Sequence, residues 1–164
     1  MEQTIGTINL TTGKVTVTDP CYDKGEWCSA ELENVHKGEW EVIIEKVSCG
    51  FWGNRVAALE LRVVGENITE YRERVNADIG VDAGVCGVFE DKPNYGTSRW
   101  GNVCDEMKGF AGIAKKENAF GCVGAWSSSG FGDGSYDLYV ARNDDGEIIG
   151  IYIDYGVEGE PDEE

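Results

Sequence analysis

Asp82 and Asp133 stand in glycine-rich passages, Ile79-Gly80-Val81-Asp82-Ala83-Gly84 and Gly130-Phe131-Gly132-Asp133-Gly134. Two carboxylates held close together can share a proton or hold a cation such as Ca²⁺ through oxygen ligands. The same pattern has a plainer meaning. Glycines make tight turns or bulges, and an aspartate in such a turn accepts backbone N–H groups. Ser128 and Tyr136 add hydroxyls beside Asp133, so Asp82, Ser128, Asp133 and Tyr136 are the ligand or metal candidates. No catalytic residue is assigned. The serines of Ser127-Ser128-Ser129-Gly130 lack a G-x-S-x-G context, and the single histidine, His36, falls in a turn-like Asn34-Val35-His36-Lys37-Gly38. A hydrolase would depend on that one histidine as base. Gly130 to Gly134 is followed by a strand pattern, whereas a phosphate-cradling loop opens a helix. Asn143-Asp144-Asp145-Gly146-Glu147 lacks the spacing of a calcium loop and reads as a hairpin turn. The six cysteines contain no C-x-x-C, and one histidine is too few for the common Cys/His zinc sets. The thiols read as small core residues, with Cys21 and Cys28 flanking a loop. No cofactor is expected.

Charge sets a second line of argument. The 164 residues hold 31 Asp and Glu against 14 Lys and Arg, a net charge of −17. Capture of nucleic-acid phosphates needs a basic face, and anionic membranes repel such a chain. Five of the carboxylates lie in the last nine residues, so the remainder still carries −12. The plain reading is solubility. The functional reading is a negative surface that docks on a basic protein. Glu31, Glu33, Glu39, Glu41, Glu70 and Glu73 are the acidic interface candidates, with Trp27 and Trp52, which lie in or beside turns, as aromatic anchors. Trp40 and Trp126 fall in strand patterns and belong to the core. The N-terminal sequence has no basic segment followed by an apolar one, and no apolar run approaches a membrane span, so a cytoplasmic location is expected.

The elements that must position these groups are mostly strands. Thr4 to Leu10 and Val15 to Thr18, joined by Thr11-Thr12-Gly13-Lys14, read as a hairpin. Gly38 to Val47 and Arg55 to Val64 alternate well, with the aromatic turn Gly50-Phe51-Trp52-Gly53-Asn54 between them. Ile79 to Asp82 and Val85 to Phe89 read as a glycine-laced strand. Gly121 to Ser128, Tyr136 to Arg142 and Glu147 to Tyr155 complete the set. Trp100, Val103, Cys104 and Met107 predict one short helix over Ser98 to Lys108, and Glu66 to Asn76 suggests another. The fold class is therefore all-β or β-rich α+β: a single-domain antiparallel sandwich or barrel with one short helix over residues 1–155, followed by an acidic tail over 156–164.

Three stretches together resemble the uncharacterised bacterial and phage family numbered 4241 among the domains of unknown function. They are Val17-Thr18-Asp19-Pro20-Cys21-Tyr22, then Ile79 through Glu90, then Ser128-Ser129-Gly130-Phe131-Gly132-Asp133-Gly134-Ser135-Tyr136 with the strand after it. The third is the most specific. In the second, Ala83 and Val85 stand where the family has Ser and Gln. The resemblance implies a β-rich single domain, pairs the Asp82 and Asp133 segments, and implies carriage by phages or other mobile elements. It imports no reaction.

The leading expectation is a non-enzymatic acidic protein, phage- or mobile-element-encoded, that inhibits a basic nucleic-acid-binding or defence protein of the host by nucleic-acid mimicry. Its partner would be a basic protein surface, with no direct nucleic-acid or membrane contact. The alternatives are a small-ligand (nucleotide-like) binder or sponge using the Ser128 to Asp133 turn, and an Asp-based metal-binding protein or hydrolase.

Overall fold

Trp40, Val42 and Ile44 alternate with Glu39, Glu41, Ile43 and Glu45, a period of two that puts one set of side chains on each face of a strand. In the computed structural model this segment is β4 (Gly38–Ser48), and the first set is buried between two sheets. Residues 1–20, 29–77, 79–81, 84–93, 96–130, 132 and 134–157 are described. Among them, β4 joins β1 (Glu2–Leu10), β5 (Asn54–Val63), β6 (Glu73–Arg74), β7 (Ile79–Val81), β11 (Gly134–Arg142) and β12 (Ile148–Asp154). These seven strands form an antiparallel sheet in the order β1-β4-β5-β12-β11-β6, with β7 also on β11. The smaller sheet has the order β3-β2-β8-β10-β9, from β2 (Lys14–Thr18), β3 (Ala30–Glu33), β8 (Val85–Glu90), β9 (Ala111–Ala114) and β10 (Val123–Ser128). The sheets pack as a sandwich and close no barrel. Leu10, Val17, Trp40, Leu59, Val88 and Ile151 belong to the core between them.

A second layer of packing lies on the far face of the smaller sheet. Phe89 and Trp126 point away from the main core and meet Val103 of α1 (Gly96–Glu106) together with Phe120 and Cys122. Glycines make room for the two rings. A Cβ on Gly112 would sit 2.7 Å from Trp126 Nε1, and one on Gly124 would sit 2.8 Å from Phe89 Cδ1. The glycines in these strands are therefore floor for aromatic rings, not only turn formers.

The hairpins at β4–β5 and β11–β12 form as the sequence predicts, with Trp40 and Trp126 in the core. Three expectations are corrected. The stretches at 4–10 and 15–18 are not a hairpin: β1 pairs with β4 in the larger sheet, and β2 with β3 and β8 in the smaller one. The turn between them is a crossing from sheet to sheet. Glu90, buried at the end of β8, accepts the Thr11 and Thr12 amides on Oε2 at 2.8 and 3.0 Å. Residues 79–90 are likewise divided, β7 to the larger sheet and β8 to the smaller, with Gly84 (φ +72°) between them. Finally, 66–76 is not helical. Ile68 and Tyr71 have helical spacing but are anchored on the larger sheet over Gly150, where a Cβ would sit 2.5 and 2.7 Å from them. The helix at 96–106 begins and ends two residues earlier than predicted, and Cys104 on it is exposed. Cys49, Cys86 and Cys122 are buried thiols. Cys21 and Cys28 lie outside the described residues.

Candidate functional site

Strand register lines up the outward side chains of the larger sheet in rows. One row reads Glu2, Glu45, Ala58, Asp154, Asp137 across β1, β4, β5, β12 and β11. The next reads Thr4, Ile43, Glu60, Tyr152, Tyr139, Arg74. Like charges directly opposite one another destabilise a sheet. Here Glu2 faces Glu45 and Asp154 faces Asp137. The amino group of Met1 offsets part of this, 2.8 Å from Glu45, as does Arg74, 2.8 Å from Asp137. A surface made acidic only for solubility has no need of such pairs, since dispersed charge serves as well.

These rows floor a groove of about 530 Å³, walled by the segment anchored over Gly150. The Tyr71 ring lies 5.0 Å from Tyr152 at 31°, and its hydroxyl donates to Glu60 Oε2 at 2.5 Å. Carboxylates of Glu2, Glu45, Glu60, Glu70 and Asp154 line the groove. Among its described lining residues the one cationic side chain is Arg62, which lies 3.8 Å from both Glu41 and Glu60. Burial pushes the Glu60 carboxyl above its usual range, against the lowering effects of the Tyr71 hydroxyl and Arg62. Burial also raises the Tyr152 phenol, and Asp154, Glu60, Glu45 and Glu2 raise it further, so four carboxylates act on one point of the groove.

The raised Glu60 makes a signed prediction. A carboxyl whose folded pKa exceeds its unfolded one penalises folding once the pH is above both values, and the penalty vanishes below about pH 4. Glu60→Gln keeps an acceptor for Tyr71 and should raise Tm at pH 7, with the gain shrinking toward pH 4 in thermal melts. A lower Tm at pH 7 would show that the ionised carboxylate is a net stabiliser.

A second concavity, of about 390 Å³, gathers Ser128 with Arg55, Phe110, Gly84, Gly130 and Gly132. Ser129 donates its amide to Gly84 O at 3.1 Å, and β7 pairs with the start of β11, placing Val81 opposite Gly134. The glycine-rich segments of the second and third motifs thus meet. Tyr136 donates its hydroxyl to Gly132 O at 2.6 Å, and Ser129 Oγ donates to the same oxygen at 2.8 Å, which ties the 129–132 turn to β11. Beneath the turn lies a buried polar layer. Ser127 Oγ and Tyr155 Oη are 2.7 Å apart, Asp19 is buried, and burial followed by Asp19 pushes the Cys86 thiol up to about 12. A thiol so placed is protonated and inert at neutral pH. Asp82 and Asp133 themselves lie outside the described residues. Among the described residues, no group of three or more His, Cys, Asp or Glu side chains is placed to hold a metal ion, and no helix is long and apolar enough to cross a membrane.

A family model, DUF4241, described as a protein of unknown function, matches residues 8–153, a span that includes all three motif stretches. The chain belongs to DUF4241. No curated protein and no solved structure matched it.

In this DUF4241 chain the acidic interface candidates are divided between surfaces. Glu70 lines the groove and pairs with Arg72 at 2.8 Å, and Glu41 lies beside it, 3.8 Å from the groove's Arg62. Glu39 is exposed on β4. Glu31 and Glu33 are exposed on β3 of the other sheet, with Glu33 3.2 Å from Lys14, and Glu73 pairs with Arg142 at 2.9 Å. Trp27 and the side chain of Trp52 lie outside what is described, and Phe51 beside Trp52 is exposed at the β4–β5 tip. Ala58, Glu60, Tyr71, Tyr152 and Asp154 belong to no motif of the sequence. The alternation of Ala58, Glu60 and Arg62, and of Tyr152 and Asp154, was the available signal. It needed the β5–β12 pairing to become a site.

Proposed function

We propose that this protein is a non-enzymatic acidic binding protein that captures a basic protein surface, a nucleic-acid-binding or defence protein of the host, and occupies it in place of nucleic acid. The observation that carries the reading is the in-register row of carboxylates beside a tyrosine-walled groove. Neighbouring strands stand about 4.8 Å apart, so such a row presents negative charge at a density comparable with a phosphate backbone. Tyrosine adds amphipathic contact area of the kind that anchors protein interfaces. The family resemblance to phage-borne proteins supports the host-directed part.

The test is capture of a purified basic nucleic-acid-binding protein at low and high salt, with duplex DNA as competitor. Exposed charges are screened over about 8 Å at physiological ionic strength. Binding should weaken steeply as salt rises, and DNA should displace the protein. Binding that ignores both salt and DNA would contradict mimicry.

A second reading, a small-ligand binder, is favoured by the glycine-lined concavity at Ser128. Native mass spectrometry of the purified protein that finds a co-purifying small molecule would favour it over the first.

A further inference from the structure

Resting on the reading above, we propose that the groove position over Ala58 is a receptor for a single arginine side chain of the basic partner. In the row Glu2, Glu45, Ala58, Asp154, Asp137, four of the five positions are carboxylates, and the exception is the smallest side chain of the five. Ala58 is buried at the groove floor. Its neighbours Glu45 and Asp154 rise from the strands on either side, so their Cα atoms stand about 10 Å apart. Among the described residues no group of three or more His, Cys, Asp or Glu is placed to hold a metal ion, and two carboxylates alone leave most of the roughly six to eight oxygen ligands of a Ca²⁺ ion unfilled. A planar guanidinium with charge-assisted hydrogen bonds of about 2.8 Å on opposite edges is closer to the span.

The surroundings favour the same occupant. Glu60 and Tyr152 face each other in the adjoining row, and the tilted Tyr71 ring packs against Tyr152, giving aromatic surface beside the negative charge. Guanidinium stacks on such rings and bonds carboxylates in a fixed fork, whereas ammonium is a strongly hydrated point charge. Arg62 is drawn toward Glu41 and Glu60 and does not stand between Glu45 and Asp154. Among the described residues, Asp154 receives the Gly156 amide on Oδ1 at 2.8 Å. The ion pair between the Met1 amino group, which also donates to Lys46 O at 2.7 Å, and Glu45 is exposed to solvent, so a partner's cation can replace it on Glu45 at little cost.

The experiment titrates the full chain with a short arginine–serine peptide, its lysine–serine counterpart, and CaCl₂, following amide NMR shifts and Kd. Shifts centred on Glu45, Ala58, Tyr152 and Asp154 are expected, with the arginine peptide about tenfold tighter than the lysine one. Ala58→Lys places an ammonium of the chain itself between the two carboxylates. It should abolish peptide binding while raising Tm, and the isosteric pair Glu45→Gln with Asp154→Asn should weaken binding similarly without disturbing the fold. Unchanged binding by both variants would overturn the receptor while leaving salt-dependent docking intact. Equal affinity for the two peptides would overturn the choice of arginine. Calcium-induced shifts at the same residues at low millimolar concentration would replace it with a metal site. No salt-dependent binding of either peptide to the native chain would overturn both the receptor and the broader reading.

Discussion

Glu90→Ala is expected to destabilise the fold by about 3 kcal/mol, taking about 1.5–3 kcal/mol for each hydrogen bond to a charged group and discounting for partial exposure. The Glu90 carboxylate is the acceptor for both amides of the turn that carries the chain from the larger sheet to the smaller one, and its Oε1 lies 3.1 Å from the Thr11 hydroxyl. Alanine leaves two partly buried amides without their acceptor. Against a total stability of about 5–15 kcal/mol this is a large fraction, worth about 10 °C in Tm. Glu90→Gln should cost much less, because one carbonyl oxygen can still take both amides, and the Thr11 hydroxyl can turn to accept from the new NH₂. Urea melts of the two variants measure the difference. Equal losses would show that charge, and not acceptor geometry, holds the crossing.

Gly124→Ala should cost a similar amount for a different reason. An alanine Cβ there would lie 2.4 Å from the Val88 carbonyl oxygen and 2.8 Å from Phe89 Cδ1, and neither neighbour has room to retreat from a packed layer. Overpacking of this kind costs about 1–3 kcal/mol. Gly112→Ala should behave alike against Trp126. Gly101 is the control. It lies in α1, is exposed, and has nothing within 4 Å of an added Cβ, so Gly101→Ala should stabilise by about 0.5–1 kcal/mol through helix propensity. Thermal melts that rank Gly101→Ala below Gly124→Ala would contradict this packing account.

Period-two alternation made β4, β5, β11 and β12 legible, along with their two hairpins and the inward Trp40, because each signal is local. The division of residues 2–18 between two sheets was not legible. Thr11-Thr12-Gly13 is good turn chemistry for a hairpin, but the partners of the two strands lie elsewhere in the chain, β4 for β1 and β3 and β8 for β2, and Glu90, some eighty residues away, accepts the turn amides. The helix suggested over Glu66 to Asn76 fails in the same way, because Ile68 and Tyr71 are seated over Gly150 on a distant strand. The candidate site divides likewise. Ser128 and Tyr136 are visible as motif residues and flank one turn, with Tyr136 bonded to the Ser129 and Gly132 carbonyls and Ser128 at the edge of the concavity beside it. The groove was hidden, because Glu45, Ala58 and Asp154 become neighbours only through the register of three strands.

The measurement that bears most directly on the acidic docking surface compares two neutralised variants of equal net charge. One carries Glu45→Gln and Asp154→Asn at the groove. The other carries Glu31→Gln and Glu33→Gln on β3 of the opposite sheet, where both residues are exposed. Each removes two negative charges by isosteric change. Affinity for a purified basic nucleic-acid-binding protein, measured at one fixed low salt concentration, should fall at least about tenfold in the first variant, the loss of roughly 1.4 kcal/mol expected when two interface charges go. In the second it should stay within about twofold, as expected for charges outside the interface. Equal losses in the two would contradict a shaped site and leave net charge alone as the cause.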